Sequence, residues 1–155
     1  MNRWKGYLAS AIVLVANAGV VMGADKKVAK SELPEAVRKS ANEQSAGATV
    51  RGYSKEMEDG QLQYEVAMTV HGHSKDVSIA PDGKVLEIEE EVRLEALTAS
   101  VQQGLQAKAV GGRVMKVESL TKHGSIVAYE AQIVKGGKRF EIQVGPDGKG
   151  LDHEE

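Results

Sequence analysis

Two histidines with a single residue between them, His71 and His73, have the clearest metal-ligand spacing in the sequence. Side chains at i and i+2 of a strand share a face, and neutral imidazole is a common ligand of zinc and copper. Gly72 lies between them, however, and indicates a hairpin turn at this point. The other histidines, His123 and His153, are distant in the sequence. We therefore predict exposed turn histidines, no metal and no other cofactor, with His71 and His73 as the candidate ligands should a metal be bound.

A second group of possible ligands is the acidic run at residues 87–91, in which Ile88 is flanked by glutamates. Calcium takes several oxygens from a turning loop, whereas this segment has the pattern of an extended strand. We therefore predict that Glu87, Glu89 and Glu91 form a solvated face, which also discourages pairing with foreign strands.

The sequence carries no recognisable catalytic motif. It contains no Gly-x-Ser-x-Gly, His-Glu-x-x-His, P-loop or dinucleotide-binding segment. The absence of cysteine excludes disulfides, thiolate metal sites and cysteine nucleophiles. A net charge of -2 provides no basic field for nucleic acid. We predict a protein that is not an enzyme and does not bind nucleic acid.

The N-terminal segment has the pattern of an export signal. A short basic segment precedes an uncharged stretch, residues 7–22, which is shorter than the roughly 20 residues of a membrane span but fits a secretory signal. Small residues allow cleavage between Gly23 and Ala24, the favoured site, or after Ala18. We predict a signal peptide over residues 1–23 and a periplasmic or secreted protein with no stable membrane span after cleavage. The alternative is an uncleaved N-terminal anchor.

The rest of the chain repeats itself at an offset of 65 residues, with glycines in the same register. The matching segments are Tyr64-Glu65 with Tyr129-Glu130, and Pro81-Asp82-Gly83-Lys84 with Pro146-Asp147-Gly148-Lys149. Such self-similarity is typical of a duplicated structural unit. We predict a short linker over residues 24–30 and two tandem units over residues 31–91 and 92–155.

Each unit begins with a helical pattern, and Ser31 is the predicted cap of the first helix. The residues at helical spacing are Leu33, Val37 and Ala41 in the first unit and Leu94, Leu97, Val101 and Leu105 in the second. After each helix the apolar period changes from 3.6 to 2, which indicates half-buried antiparallel strands.

The predicted strands are residues 49–57, 61–70, 75–80 and 85–90 in the first unit, and residues 113–120, 127–133, 139–145 and 151–155 in the second. The two Pro-Asp-Gly-Lys segments are predicted tight turns, because glycine adopts a positive φ at little cost. The predicted fold class is α+β, with two tandem αββββ repeats, each a helix packed on one face of an antiparallel sheet.

The two units resemble a known family. The residues that carry the resemblance are a helix opening with Leu33-Pro34-Glu35-Ala36-Val37, the strand Tyr64-Glu65-Val66, and Pro81-Asp82-Gly83-Lys84-Val85-Leu86 followed by a strand ending in Glu89-Glu90. After an export signal, this arrangement is similar to the PepSY-like, β-lactamase-inhibitor-like proteins of the bacterial cell envelope. The resemblance implies an exported, non-enzymatic module whose relatives inhibit or hold peptidases and other envelope proteins through an open sheet face. Gly150 replaces the apolar residue that follows lysine in the first copy, which weakens the predicted last strand.

The polar side of the predicted sheet is the candidate binding surface. Its residues are Gln61, Gln63, Glu65, Thr69, Glu130 and Gln132. We predict a binding module that contacts a peptide, a peptidase or another envelope protein through this surface. The alternative function is a periplasmic metal-binding or stress-sensing protein, which rests on His71 and His73.

Overall fold

The segments with alternating apolar and polar residues form strands of one continuous antiparallel sheet, which has eight strands in the computed structural model. The structure describes residues 26–58, 60–153 and 155. In chain order the elements are β1 (Lys26–Val28), α1 (Glu35–Gln44), β2 (Thr49–Glu58), β3 (Gln61–Val70), β4 (His73–Ile79), β5 (Val85–Glu91), α2 (Ala99–Ala109), β6 (Arg113–Lys122), β7 (Ser125–Lys135) and β8 (Lys138–Val144). The strands lie in the sheet in sequence order. The predicted α+β class and the antiparallel sheet are confirmed.

The two halves of the sheet are joined by pairing between β5 and β6. Five residue pairs make this contact, from Glu87 opposite Lys122 to Glu91 opposite Glu118. The short segment between β5 and α2 therefore does not separate two independent sheets, since the hydrogen-bonded ladder runs through the junction.

Both helices pack on the same face of the sheet, each over its own apolar cluster. Val37 and Ala41 of α1 join one cluster with Val66, Met68, Val77 and Ile79 of β3 and β4. Val101, Leu105 and Ala109 of α2 join the other with Val117, Ala131, Ile133 and Val144 of β6, β7 and β8. The apolar strand residues that face the helices, such as Met68 and Ile133, are fully buried.

The helix starts differ from the prediction. Pro34 occupies the N-cap position of α1, and Ser31 lies in a preceding 3-10 turn, so the predicted Ser31 cap is wrong. A residue before proline is driven to extended backbone, and Leu33 has φ −69° and ψ 138°, which prevents the helix from starting earlier. Leu94 similarly lies in a separate 3-10 turn, and Thr98 caps α2 by accepting a hydrogen bond from Val101 N at 3.4 Å.

Two predicted strands are changed. The strand expected at residues 151–155 is absent over Leu151–His153, in the part of the tail that the structure describes, so β8 is an edge strand. β7, predicted to begin at residue 127, begins at Ser125, and a bulge leaves Val127 without a partner on β6. Within the expected linker 24–30, residues 26–28 form β1, which pairs with β2.

The two Pro-Asp-Gly-Lys segments are tight turns with matching hydrogen bonds. Ala80 N donates to Lys84 O at 2.8 Å, and Gly145 N donates to Lys149 O at 2.8 Å. The prediction of tight turns is confirmed.

No helix in residues 26–58 or 60–153 has the length and apolar character that a membrane crossing needs. The predicted signal peptide, residues 1–23, and its cleavage site lie outside the described residues.

Candidate binding face

The helices cover one side of the sheet and leave the other side uncovered, and we call the uncovered side the open face. Residues paired across antiparallel strands share a face, so the register defines its members. Asp76 of β4 lies opposite Glu89 of β5, and Glu89 lies opposite Leu120 of β6. The polar residues of the open face include Gln61, Gln63, Glu65, Thr69, Asp76, Glu87, Glu89, Glu118, Glu130, Gln132, Glu141 and Gln143.

The six residues predicted to bind a partner all lie on this face, although they differ in accessibility. Gln61 is exposed, and four others are half-buried: Glu65, Thr69, Glu130 and Gln132. Gln63 is buried, contrary to expectation. Its side-chain amide donates to Glu56 Oε1 at 3.1 Å and also to the Glu58 carboxylate. Gln63 therefore holds neighbouring carboxylates in place and offers little surface to a partner.

Three carboxylates from three strands meet near the middle of the open face. One carboxylate oxygen from each of Asp76, Glu89 and Glu118 lies within 4.8 Å of the others. We call this group the carboxylate cluster. Glu118 is only 3% exposed, so the cluster is sunk into the sheet surface. The prediction of a solvated acidic face is therefore wrong for Glu89, whose neighbours come from strands that are distant in sequence.

Basic side chains neutralise two members of the carboxylate cluster. Arg51 Nη2 lies 2.8 Å from Asp76 Oδ1, and Lys116 Nζ lies 2.6 Å from Glu118 Oε1. Burial raises the pKa of Glu89 well above its usual range, and the charges of Glu118, Glu87 and Glu130 add to the effect. The cluster therefore favours a protonated Glu89 at neutral pH, because a third buried charge would be repelled by the other carboxylates.

Glu130 on β7 extends this acidic region toward β8. Burial raises the pKa of Glu130 to about 7. A hydrogen bond from Gln143 Nε2, 2.9 Å from Glu130 Oε2, opposes the shift, whereas the nearby Glu141 and Glu118 charges reinforce it. The open face therefore carries a carboxyl group that changes its charge near neutral pH.

The flank of the acidic region is anchored at the junction of β5, β6 and the C-terminal tail. Lys122 Nζ lies 3.3 Å from Glu87 Oε2 and 3.5 Å from Glu155 Oε2. Burial favours the neutral amine, but these two carboxylates hold the pKa of Lys122 above its usual value. Lys122 consequently stays charged and links β5 to Glu155 through ion pairs.

A shallow pocket lies beside the carboxylate cluster, where β6, β7 and β8 run together. Its volume is about 470 Å³, and its lining includes Met115, Lys116, Gln132, Phe140 and Glu141. Met115 is 47% exposed. Lys116 links the two features, since it lines the pocket and pairs with Glu118. The pocket combines an exposed apolar side chain with both signs of charge, which suits a polar protein contact.

The histidine pair does not belong to the carboxylate cluster. His71 and His73 are exposed, and His71 lies in the turn with φ 50°. Among the described residues, the set of three possible ligands that the structure brings together is Asp76, Glu89 and Glu118, and it includes neither histidine.

Sequence reasoning missed Asp76 and Glu118 because each carboxylate is isolated in its own strand. The signal that could have found them is strand register. Pairing β4 with β5 and β5 with β6 as consecutive antiparallel neighbours places Asp76, Glu89 and Glu118 on one face. The order of the strands in the sheet follows from a simple meander. The register between the strands could not be predicted from the sequence.

Comparison with known proteins yields likenesses among solved structures. No protein-family model matches the chain, and no curated protein matches it. A Bacteroides eggerthii protein described as a candidate periplasmic protein has a TM-score of 0.61 and 18% identity, covering 76% of this chain and 84% of that one. A DUF2874 family protein from Bacteroides ovatus has a TM-score of 0.60 and 17% identity, with coverages of 77% and 85%. A BLIP-like protein from Bacteroides fragilis has a TM-score of 0.55 and 18% identity, with coverages of 79% and 85%. These likenesses show that the chain has a BLIP-like fold.

Proposed function

We propose that the protein is an exported, non-enzymatic binding module whose open face engages another protein of the cell envelope. The observation that carries the proposal is the carboxylate cluster on a sheet face that no helix covers. Burying like charges lowers the free energy of unfolding. An apolar residue in place of Glu89 would avoid that loss. Costly groups of this kind, placed on an accessible face, are typical of functional surfaces.

The chemistry of the open face favours a partner that presents basic side chains. Burial and the neighbouring carboxylates raise the pKa values of Glu89 and Glu130. An approaching lysine or arginine would favour the charged form of both groups and pair with it. Complementary charge of this kind steers association and sets specificity. Met115 and the adjoining pocket provide an apolar anchor beside the acidic region.

Two further points belong to the same proposal. Inhibition of a peptidase or a related envelope enzyme is the role implied by the resemblance noted in the sequence, and the BLIP-like neighbour shares the fold. Export through the signal at residues 1–23 agrees with the periplasmic description of another neighbour.

We also propose that the chain arose by duplication of one structural unit. The turn bonds of Ala80 and Gly145 match at the 65-residue offset, and each half carries a helix over its own apolar cluster. The helices correspond at a slightly shorter offset of 64 residues, since Val37 and Ala41 match Val101 and Leu105. Within the described residues, the second unit has three strands after its helix, where the first has four.

Affinity capture from the envelope fraction of the native host tests the binding proposal. Glu65→Arg on β3 and Gln132→Arg on β7 place new positive charge on the open face. We expect each to reduce the recovery of the captured protein. Glu43→Arg on the exposed side of α1 is the matched control and should leave recovery unchanged. Equal recovery with all three variants would contradict the proposal.

Metal binding is the competing function, and the geometry favours it less. The candidate ligands are now the carboxylates of Asp76, Glu89 and Glu118 in place of the histidines. Two of these carboxylates already pair with Arg51 and Lys116. Calorimetric titration with calcium, zinc and copper decides the matter. Tight binding that Glu89→Gln abolishes would support a metal site, and binding lost in His73→Ala would restore the histidine hypothesis.

A further inference from the structure

The edge strand β8 lacks the neighbour that its counterpart in the first half possesses. β8 pairs with β7, and among the described residues no strand lies on its other side. Its equivalent at the 65-residue offset is β4, which is flanked by β3 and β5. One edge of the sheet therefore ends where the same unit elsewhere in the chain adds another strand.

The backbone of β8 presents hydrogen-bonding groups to this open edge. Gly136 and Gly137 form a two-residue turn with φ 57° and 75°, and Lys135 lies opposite Lys138. In such a hairpin the pair next to the turn is hydrogen-bonded, and bonded and unbonded pairs then alternate. The N–H and C=O groups of Arg139, Glu141 and Gln143 consequently point away from β7.

One contact supports this alternation and marks how far the free edge extends. Lys108 Nζ of α2 donates a hydrogen bond to Gln143 O at 2.8 Å, so this carbonyl does point outward. The tail also reaches this residue, because Glu155 N donates to Gln143 Oε1 at 2.9 Å. The accessible part of the edge is therefore the segment around Arg139, Phe140 and Glu141.

Exposed apolar surface accompanies the free edge. Phe140 is the single phenylalanine of the sequence, yet it is 39% exposed. Met115 is also exposed, and both residues line the shallow pocket. A large aromatic side chain on an accessible sheet edge is a candidate for cross-strand contact.

We propose that β8 pairs antiparallel with β8 of a second copy, about a two-fold axis that passes between the two Phe140 residues. In this register Arg139 of each copy lies opposite Glu141 of the other. All four side chains belong to the open face, so two reciprocal ion pairs form. The outward backbone groups of Arg139 and Glu141 bond to each other across the axis, and the Phe140 rings meet as a non-hydrogen-bonded pair.

The order of side chains along β8 favours a second copy of the chain as the partner, and it favours this register of pairing. Charges on edge strands commonly prevent pairing, but here opposite signs flank Phe140 symmetrically. A register centred on Glu141 would place Glu141 against itself and is disfavoured by like charge. The proposed dimer extends one sheet through both copies and sets their open faces side by side on the same surface.

Sedimentation equilibrium of the purified protein tests the proposal through charge reversal. We expect a concentration-dependent dimer for the unaltered protein. Arg139→Glu replaces each Arg139–Glu141 ion pair with two facing glutamates. It should raise the dissociation constant of the dimer about tenfold or more. Glu141→Arg should have the same effect, because it opposes arginine with arginine. Arg93→Glu, at an exposed residue between β5 and α2, should leave the dimer intact.

Mixing the two variants gives the decisive result. An Arg139→Glu chain and a Glu141→Arg chain are complementary at both positions, so the mixture should recover dimers that neither variant forms alone. Circular dichroism of each variant checks that both remain folded. Three outcomes would overturn the proposal: a monomer at every concentration for the unaltered protein, a dimer that survives Arg139→Glu, or no recovery on mixing.

Discussion

Glu89 shows at the residue scale how strand register, more than local sequence, sets the chemistry of the open face. The acidic run around it indicates a solvated strand, but the neighbouring strands add Asp76 and Glu118 beside it. The histidine spacing is equally local, and the structure leaves His71 and His73 exposed and outside the carboxylate cluster. Residue types could be read from the sequence, whereas the contacts of each side chain depend on partners from other strands.

The raised pKa values of Glu89 and Glu130 predict that the protein loses stability as pH rises. A carboxyl with a higher pKa in the folded state binds more protons there than when unfolded. The contribution of these two groups to stability is therefore greatest below the ordinary value of 4.5, and it falls as pH rises from there to about 7 for Glu130 and higher for Glu89.

Glu89→Gln should remove part of this loss. At pH 8 the variant should gain about 1–2 kcal/mol of unfolding free energy, after allowance for solvent screening of a half-buried carboxyl. At pH 5 the gain should largely vanish. Urea unfolding at the two pH values measures the difference, with Glu95→Gln, at an exposed position, as the control. A gain of equal size at both pH values would contradict a protonated Glu89.

At the scale of elements, alternation predicts strands β2 to β8 well. The bounds of β3 agree with the prediction at both ends, as residues 61–70. The predicted last strand is absent over Leu151–His153, because Gly150 and the polar residues after Leu151 offer little β-propensity and no apolar alternation to pack. The start of α1 fails as a prediction because Pro34 constrains Leu33, a local effect that overrides the helical spacing.

The contact between α2 and the second Pro-Asp-Gly-Lys turn requires glycine. A Cβ at Gly104 would overlap Gly148 O, so a side chain at this position would force the backbone to move. In the first half, Ser40 Oγ donates to Gly83 O at 2.6 Å instead. The second helix therefore sits closer to its turn than the first helix does.

Gly104→Ala should consequently destabilise the protein by about 2–3 kcal/mol, the usual cost of overpacking a tight interface. Gly52→Ala is the matched control, because a Cβ at Gly52 meets nothing within 4 Å. Thermal unfolding of both variants measures the effect. A similar melting temperature for both would show that the helix can shift away from the turn at little cost.

At the scale of the whole molecule, pairing between β5 and β6 makes the two proposed units parts of one sheet. Each unit has about 65 residues and would be marginal alone. The apolar clusters under α1 and α2 are separate, but the ladder of β5 and β6 couples them. We therefore expect the halves to unfold together.

Conservative core substitutions test this coupling. Ile79→Val in the first cluster and Ile133→Val in the second should each cost about 0.5–1.5 kcal/mol. Each should lower the hydrogen-exchange protection of β3 and β7 by a similar factor. Loss of protection confined to the half that carries the substitution would show that the units unfold independently.

The open face is the central claim, and site-specific photo-crosslinking in the native host tests it most directly. A photoreactive amino acid at Thr69 or Gln132 lies on the open face, and the same group at Glu43 lies on the exposed side of α1. We predict that an envelope protein is crosslinked from Thr69 and Gln132 but not from Glu43. A product formed from Glu43 alone, or no product from either open-face position, would contradict the claim.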